Sequence, residues 1–496
     1  MTGVSGDLAA AGVWFLVAVV LAGALPQVAG AWQFLLAACH RWRNHYGACE
    51  PAFPRTAVLI PAWNEGLVIG ASIDRLMAAE YPPESLRVYV VDDASTDDTP
   101  AVVKAKGAQY PGRVIHLRRE QGGQGKAHTL NHGLGVVLGD DWMQALLITD
   151  ADVIFEPAAL RTMTRHLADP RVGAVTCYIK EGSRPGNYLT RFIGYEYVTA
   201  QAAARRGQNV LGALACLAGG AQLHARSSLV ALGGQIDTGS LAEDTITTFE
   251  TQLRGRRVVF EPHATCWAEE PDTVAGLWKQ RLRWARGNVQ VTVRYRGLWF
   301  RPRRGQRLGG LTFGVLWFSL FLQPVLMITS SAALLTLYFT GSPRAWPAFH
   351  LLWVANAASY LFITGFALLM DPQTRRHTWR QAVLFPGLVN LAIIAESCFP
   401  RPAHAAAHAL HVSGRAAAVV AVFSYAWLAA SLAAGYLVKA AEPHRGGRVV
   451  SMTLLYLAGY GSLLCACTFA SYVKEARRAD MGWDKTVKTG RMTIPT

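Results

Sequence analysis

The sequence predicts an α/β domain with a mainly parallel sheet, inserted between an N-terminal transmembrane helix and a C-terminal α-helical transmembrane bundle. Three observations lead there. Of 496 residues 51% are hydrophobic and only 16% charged, more apolar than a wholly soluble chain requires. Runs long enough to cross a bilayer lie towards the two ends, and none falls between about Phe53 and Arg296. Within that central stretch the β-rich runs Ala57 to Ile60, Arg87 to Val91, Arg113 to Leu117, Ala145 to Thr149 and Gly173 to Thr176 alternate with segments of helical character. That alternation is the pattern of strand–helix–strand units, which pair their strands in parallel.

The first apolar segment, residues 8–39, is interrupted by Pro26; no positive charge precedes it, and His40-Arg41-Trp42-Arg43 follows. This is an uncleaved anchor that leaves the next domain in the cytoplasm. Its length suits one kinked helix, with a tight hairpin as the alternative. The α/β domain occupies residues 50–293. Residues 294–311 interleave Arg294, Arg296, Arg301, Arg303, Arg304 and Arg307 with Tyr295, Trp299 and Phe300, as in a segment lying on the inner leaflet. Residues 312–472 hold apolar spans at about 312–340, 349–370, 382–399, 416–438 and 449–472. Five spans would put the basic tail, residues 473–496, outside. A re-entrant 382–399, which carries Pro386, Asn390 and Glu396, would return the tail to the cytoplasm and leave Arg445 and Arg448 outside. The net charge of +15 gathers beside these apolar segments, so the lipid bilayer is the expected partner and no nucleic acid is. The eight cysteines show no zinc or disulfide spacing.

Chemistry concentrates in a few places. Asp150-Ala151-Asp152 follows the run Leu146 to Thr149, where two carboxylates at a strand end can hold Mg²⁺ or Mn²⁺ and leave its other positions to phosphate and water. Asp92 and Asp93 end the second run, and Asp97 or Asp98 reads as a cap for the next helix. Gly122-Gly123-Gln124-Gly125-Lys126 is not a phosphate loop, since Glu120 and Ala127 stand where Gly and Ser or Thr are needed. His128 and His132, and further on His404, His408 and His411, share helical faces without an evident further ligand, and read as polar surface groups. Glu243-Asp244 follows the glycine-marked Cys216 to Gly220; Asp244 suits a general base for a hydroxyl nucleophile, with Glu243 beside it. In Gln280-Arg281-Leu282-Arg283-Trp284, Arg283 can fork onto an oxyanion, Trp284 offers a flat stacking face, and Gln280 can bind hydroxyls.

Taken in order, Val91-Asp92-Asp93, Asp150-Ala151-Asp152, Ala242-Glu243-Asp244 and Gln280-x-x-Arg283-Trp284 resemble the membrane-embedded processive family 2 glycosyltransferases, the synthases of cellulose, chitin, hyaluronan and poly-N-acetylglucosamine. The resemblance covers roughly residues 50 to 310 motif by motif. It implies the GT-A nucleotide-sugar fold. It places Ala62, Glu65, Asp92, Asp93, Lys126, Asp150 and Arg283 around the nucleotide, Gln280 and Trp284 at the acceptor, and a loop that closes over the nucleotide at Ala268 to Thr273. The implied activity is inverting, processive synthesis of a β-linked polysaccharide from a UDP-sugar, UDP-N-acetylglucosamine before UDP-glucose. The polymer would leave through the enzyme's own transmembrane channel in the cell membrane, with room for accessory export subunits. A nonprocessive transferase acting on a lipid and an inactive export or scaffold subunit are the alternatives. Family members often have Thr at position 242 and Gln at 286; this chain has Ala242 and Arg286.

Overall fold

The structure is a computed structural model that describes residues 2–43, 49–303, 305–400, 414–443, 446–481, 488, 490 and 492. His404, His408 and His411 lie outside the described residues. The chain forms two compact units, one of Leu35–Gly314 with Arg478–Thr496, the other of Met1–Phe34 with Val315–Arg477.

The first unit is built on one mixed, mostly parallel sheet of eight strands: β1 (Thr56–Ala62), β2 (Leu86–Asp92), β3 (Val114–Arg118), β4 (Ala145–Ile148), β5 (Val153–Phe155), β6 (Val172–Glu181), β7 (Gln222–Ala225) and β8 (Arg257–Ala268). Their order across the sheet is β3-β2-β1-β4-β7-β6-β8-β5. β1 pairs in parallel with both β2 and β4, and β2 with β3, so the carboxyl ends of four strands open along one edge. Ala57 to Ile60 are wholly buried, as a central strand covered on both faces must be. The helix Lys126–Leu138 covers one face, setting Leu130, Leu134 and Val137 against Leu59, Val91, Leu146 and Ile148. Its Gly133 is forced by that closeness, since a Cβ there would sit 2.4 Å from Leu59 Cδ1.

All five runs read from the sequence are strands. β5 and β7 are too short, at three and four residues, for a periodicity to show. β8 is longer, but Pro262 and His263 interrupt its pattern where its register against β6 shifts.

The second unit is helical. Two of its helices, Ala345–Met370 and Arg415–Ala441, are each long and apolar enough to cross a membrane. Four further helix pairs pass the same test only as bent units, among them Asp7–Ala22 with Leu25–His40 at 45° and Leu311–Phe321 with Gln323–Phe339 at 69°. Pro324, which lacks an N–H, stands at the second of these breaks. The segment 449–472, expected as a plain span, is instead broken by 98° at Gly459. The segment 382–399 starts in the last two residues of the helix Pro372–Val383 and continues, after a break, as Leu388–Cys398, the two helices bent by 72°. The two breaks meet. Gly387 and Gly459 both have φ near +90°, and a Cβ on Gly387 would lie 2.3 Å from Gly459 N. Tyr460 N donates to Phe385 O at 3.0 Å, and Asn390 Nδ2 donates to Pro386 O at 2.5 Å, so part of the backbone freed by the breaks is bonded again.

The basic segment after residue 294 differs from the expected surface strip. Trp299 is buried, stacks on Phe313 at 6.3 Å, and donates its indole N–H to Thr292 O at 2.9 Å. Tyr295 donates to Glu250 at 2.7 Å. Phe300 stays exposed. Aromatic side chains here serve the α/β unit as well as whatever surface the arginines meet.

Candidate active site

The carboxyl edge of β1, β2 and β4 gathers the first groups. Ala62, at the end of β1, is buried and accepts Asp93 N at 2.8 Å, which ties the β1 and β2 ends together. Glu65 stands at the head of the helix Gly66–Met77, its N–H bonded to Thr99 Oγ1 at 2.8 Å. Asp92 is fully buried: Oδ1 accepts Ser95 N at 2.8 Å and Oδ2 accepts Arg118 at 2.5 Å. Both of its oxygens are thus engaged by the protein. Asp93 pairs with Arg119 and accepts Gly123 N at 2.9 Å, which holds the glycine loop before Lys126 over the strand ends.

Asp150 and Asp152 follow β4. Lys126 Nζ pairs with Asp150 and donates to Gly219 O at 3.1 Å. Burial works against the Lys126 charge, but Asp150, Glu243 and Asp244 outweigh it and hold its pKa above the ordinary lysine value. Burial likewise opposes the Asp150 charge, and Lys126, Lys488 and Arg283 reverse it, leaving that carboxyl below its usual range. The floor is Gly219-Gly220. A Cβ on Gly219 would lie 3.2 Å from Asp244 Oδ2, and one on Gly220 3.3 Å from Asp150 Oδ2 and 2.9 Å from Val153. No larger residue lets the backbone approach both carboxylates so closely.

Glu243 and Asp244 form the first turn of the helix Glu243–Leu253, whose positive N-terminal end favours acids. Asp244 Oδ1 accepts Thr245 N at 2.7 Å. Glu243 is buried, and burial followed by the Asp244 charge pushes its pKa up to about 7. Glu243, Lys126, Arg283, Gly123, Ser240 and Met481 line one cleft, whose internal volume of about 110 Å³ is below the roughly 300–1,000 Å³ of small-molecule sites. His128 also borders it, and among the described residues no group of three or more His, Cys, Asp or Glu is placed to hold a metal.

The helix Val274–Arg294 presents the last motif. Trp284 is 37% exposed, whereas Gln280 is buried and its amide is engaged on both sides. Nε2 donates to Glu270 at 3.1 Å and Oε1 accepts from Arg281 at 2.5 Å. Gln280 thus joins Glu270 to Arg281. Glu269 and Glu270, in the stretch that the resemblance makes a loop closing over the nucleotide, are buried; Glu270 accepts Tyr197 OH at 2.5 Å and donates its N–H to Ser183 Oγ at 2.9 Å.

Sequence reasoning passed over the tail. Arg286 is buried and donates to Asp480 O at 2.8 Å and Ala479 O at 2.6 Å. Further along, Lys488 pairs with Asp152 and donates to Glu269 O at 2.8 Å, and Gly490 N donates to Glu269 Oε2 at 3.1 Å. The substituted Arg286 is thus a tether for the tail. Its position in the motif was the one available signal.

Paired acids, the cations Lys126 and Arg283 and the exposed indole of Trp284 together suit transfer of a sugar from a diphosphate. Residues 54–287 match the family described as glycosyltransferase like family 2. The chain is 29% identical over 333 residues to the "Probable glycosyltransferase YdaM" of Bacillus subtilis (strain 168), covering 67% of this chain and 76% of that one. It is 30% identical over 237 residues to the "Poly-beta-1,6-N-acetyl-D-glucosamine synthase" of Staphylococcus aureus (strain COL), covering 48% of this chain and 55% of the relative, about half its length. The fold matches that of a solved mannosyltransferase of Pyrobaculum calidifontis, described in complex with GDP-Man and Mn2+, with a TM-score of 0.50, 24% identity, 77% of this chain and all of that one covered.

Proposed function

We propose that the chain polymerises a β-linked polysaccharide processively from a UDP-sugar, with inversion at the anomeric carbon, and passes the product through its own helical unit. UDP-N-acetylglucosamine is the first candidate donor and UDP-glucose the second. The supporting observation is that Lys126 and Arg283 line the same cleft as Glu243, with Asp150 and Asp244 against the same lysine. That arrangement sets cations for a leaving diphosphate beside carboxylates for an attacking hydroxyl.

In this reading Ala62, Glu65, Asp92 and Asp93 shape the nucleoside end, and Lys126 and Arg283 hold the diphosphate. Asp150 and Asp152 fit Mg²⁺ or Mn²⁺. Such ions take one or two protein carboxylates plus phosphates and water, and in this structure the ammonium groups of Lys126 and Lys488 already meet these two carboxylates as cations. When bound, the ion supplies positive charge to the departing diphosphate. Asp244 takes the proton from the acceptor hydroxyl as it attacks, and Trp284 stacks the acceptor ring.

The test is to incubate the purified full chain with a panel of UDP-sugars and Mg²⁺ or Mn²⁺, then digest any product with linkage-specific hydrolases. A long polymer cut by a β-specific hydrolase is expected; single-sugar transfer or no transfer from every donor would overturn the reading.

A further inference from the structure

Trp284 does not stand alone on its helix. The Arg281 guanidinium carbon lies 4.2 Å from the Trp284 ring centroid. A planar cation stacked on one face of an indole holds the ring by cation–π attraction and leaves the opposite face for another flat partner. Arg281 is itself immobile. Nε and a terminal nitrogen fork onto the two oxygens of Glu196 at 3.0 and 2.8 Å, and the other terminal nitrogen donates to Gln280 Oε1 at 2.5 Å. Gln280 passes to Glu270, and Glu270 to Tyr197, which follows Glu196 in the chain, so the bonds close a ring. All five members are buried, and the Trp284 they support is not.

A buried ion pair alone would need no exposed indole on top of it. Nor is the partner helix ordinary: Glu196 and Tyr197 end the helix Tyr188–Tyr197 immediately before a π-helical turn, Val198–Ala203. Such turns are uncommon and recur at functional sites.

We infer that Arg281 and Glu196 are positioning residues for the acceptor: they lock the Trp284 ring in the orientation that receives the sugar terminus. The inference rests on the reading of Trp284 as the acceptor platform. Arg281→Lys keeps the positive charge opposite Glu196, so the fold should stand, but it removes both the bidentate fork and the planar stack. Glu196→Gln keeps the arginine and removes its charged anchor.

The experiment measures acceptor and donor KM separately on the full chain, with UDP-N-acetylglucosamine and N-acetylglucosamine oligomers as probes, and compares the length of the product. In both variants the acceptor KM should rise tenfold or more and product chains shorten, while donor KM moves less than twofold. Equal loss on the donor side would mark a general structural role and overturn the inference. So would an unchanged acceptor KM in variants whose wild-type parent transfers sugar. A wild-type chain that transfers no sugar from this donor to these oligomers overturns the underlying reading, and this inference falls with it.

Discussion

Glu243 and Asp244 are neighbours in sequence but not in surroundings. Asp244 has one oxygen committed to Thr245 N and the other facing Gly219, whereas Glu243 lines the cleft and is pushed up to about 7, first by burial and then by Asp244. Asp244→Asn keeps the shape and removes the base, so UDP-sugar should still bind while transfer falls on the order of a hundredfold or more. Trp284→Ala should instead preserve slow hydrolysis of the UDP-sugar and abolish chain extension, because water needs no stacking surface. Parallel assays of UDP release and polymer check both. Glu243 makes a separate prediction. An acid whose pKa rises on folding stabilises the fold below its unfolded value of 4.5, and that contribution is lost as pH climbs through about 7. Glu243→Gln should therefore raise the unfolding temperature relative to wild type at pH 8 and not at pH 5, a difference of at most about 3 kcal/mol. Melting curves at the two pH values decide it. At this scale the sequence spoke through spacing, which brought Asp150, Asp244, Arg283 and Trp284 into view. It named Asp92 and Gln280 but not what occupies their polar atoms, since Arg118, Glu270 and Arg281 come to them only on folding.

The elements divide in the same way. β1, β2 and β4 were legible because each is a continuous apolar run ending in chemistry, while β7 and β8 turn polar or break register where the sheet changes direction. The Gly219-Gly220 turn stood out as glycine-rich, yet its reason appears only in the approach of Asp150 and Asp244. Gly220→Ala should leave the sheet intact and weaken Mn²⁺ binding severalfold, because the added methyl meets Val153 at 2.9 Å and Asp150 Oδ2 at 3.3 Å. Circular dichroism with a Mn²⁺ titration by electron paramagnetic resonance reads both. The tail was illegible as anything but basic. Its Lys488 holds Asp152, so a divalent cation must break that ion pair to reach the carboxylate. Lys488→Gln should bind Mn²⁺ severalfold more tightly in the absence of nucleotide; equal affinity would mean that the pair offers no competition.

For the whole molecule, the helical unit carries the less legible part of the fold. Hydrophobicity reports that a segment is apolar but not that it bends, and the facing breaks at Gly387 and Gly459 depend on two glycines 72 positions apart. If the helical unit conducts the product, proteoliposomes of the purified chain with its α/β unit outward, fed UDP-sugar from outside, should collect polymer that external hydrolase cannot cut until detergent is added. Complete digestion without detergent would place the product outside. One feature of the sheet reaches beyond any single assay. The groups assigned to the donor hang mainly from the ends of β1, β2 and β4, three strands locked in one ladder, whereas Gln280, Arg281 and Trp284 all ride on one helix. Arg283, assigned to the diphosphate, rides on that helix too, so change elsewhere in the helix can accumulate without disturbing the donor site as long as Arg283 is kept. A lineage built on this plan is free to take up new acceptors while keeping its donor, and a laboratory seeking altered polymers should diversify the helix first.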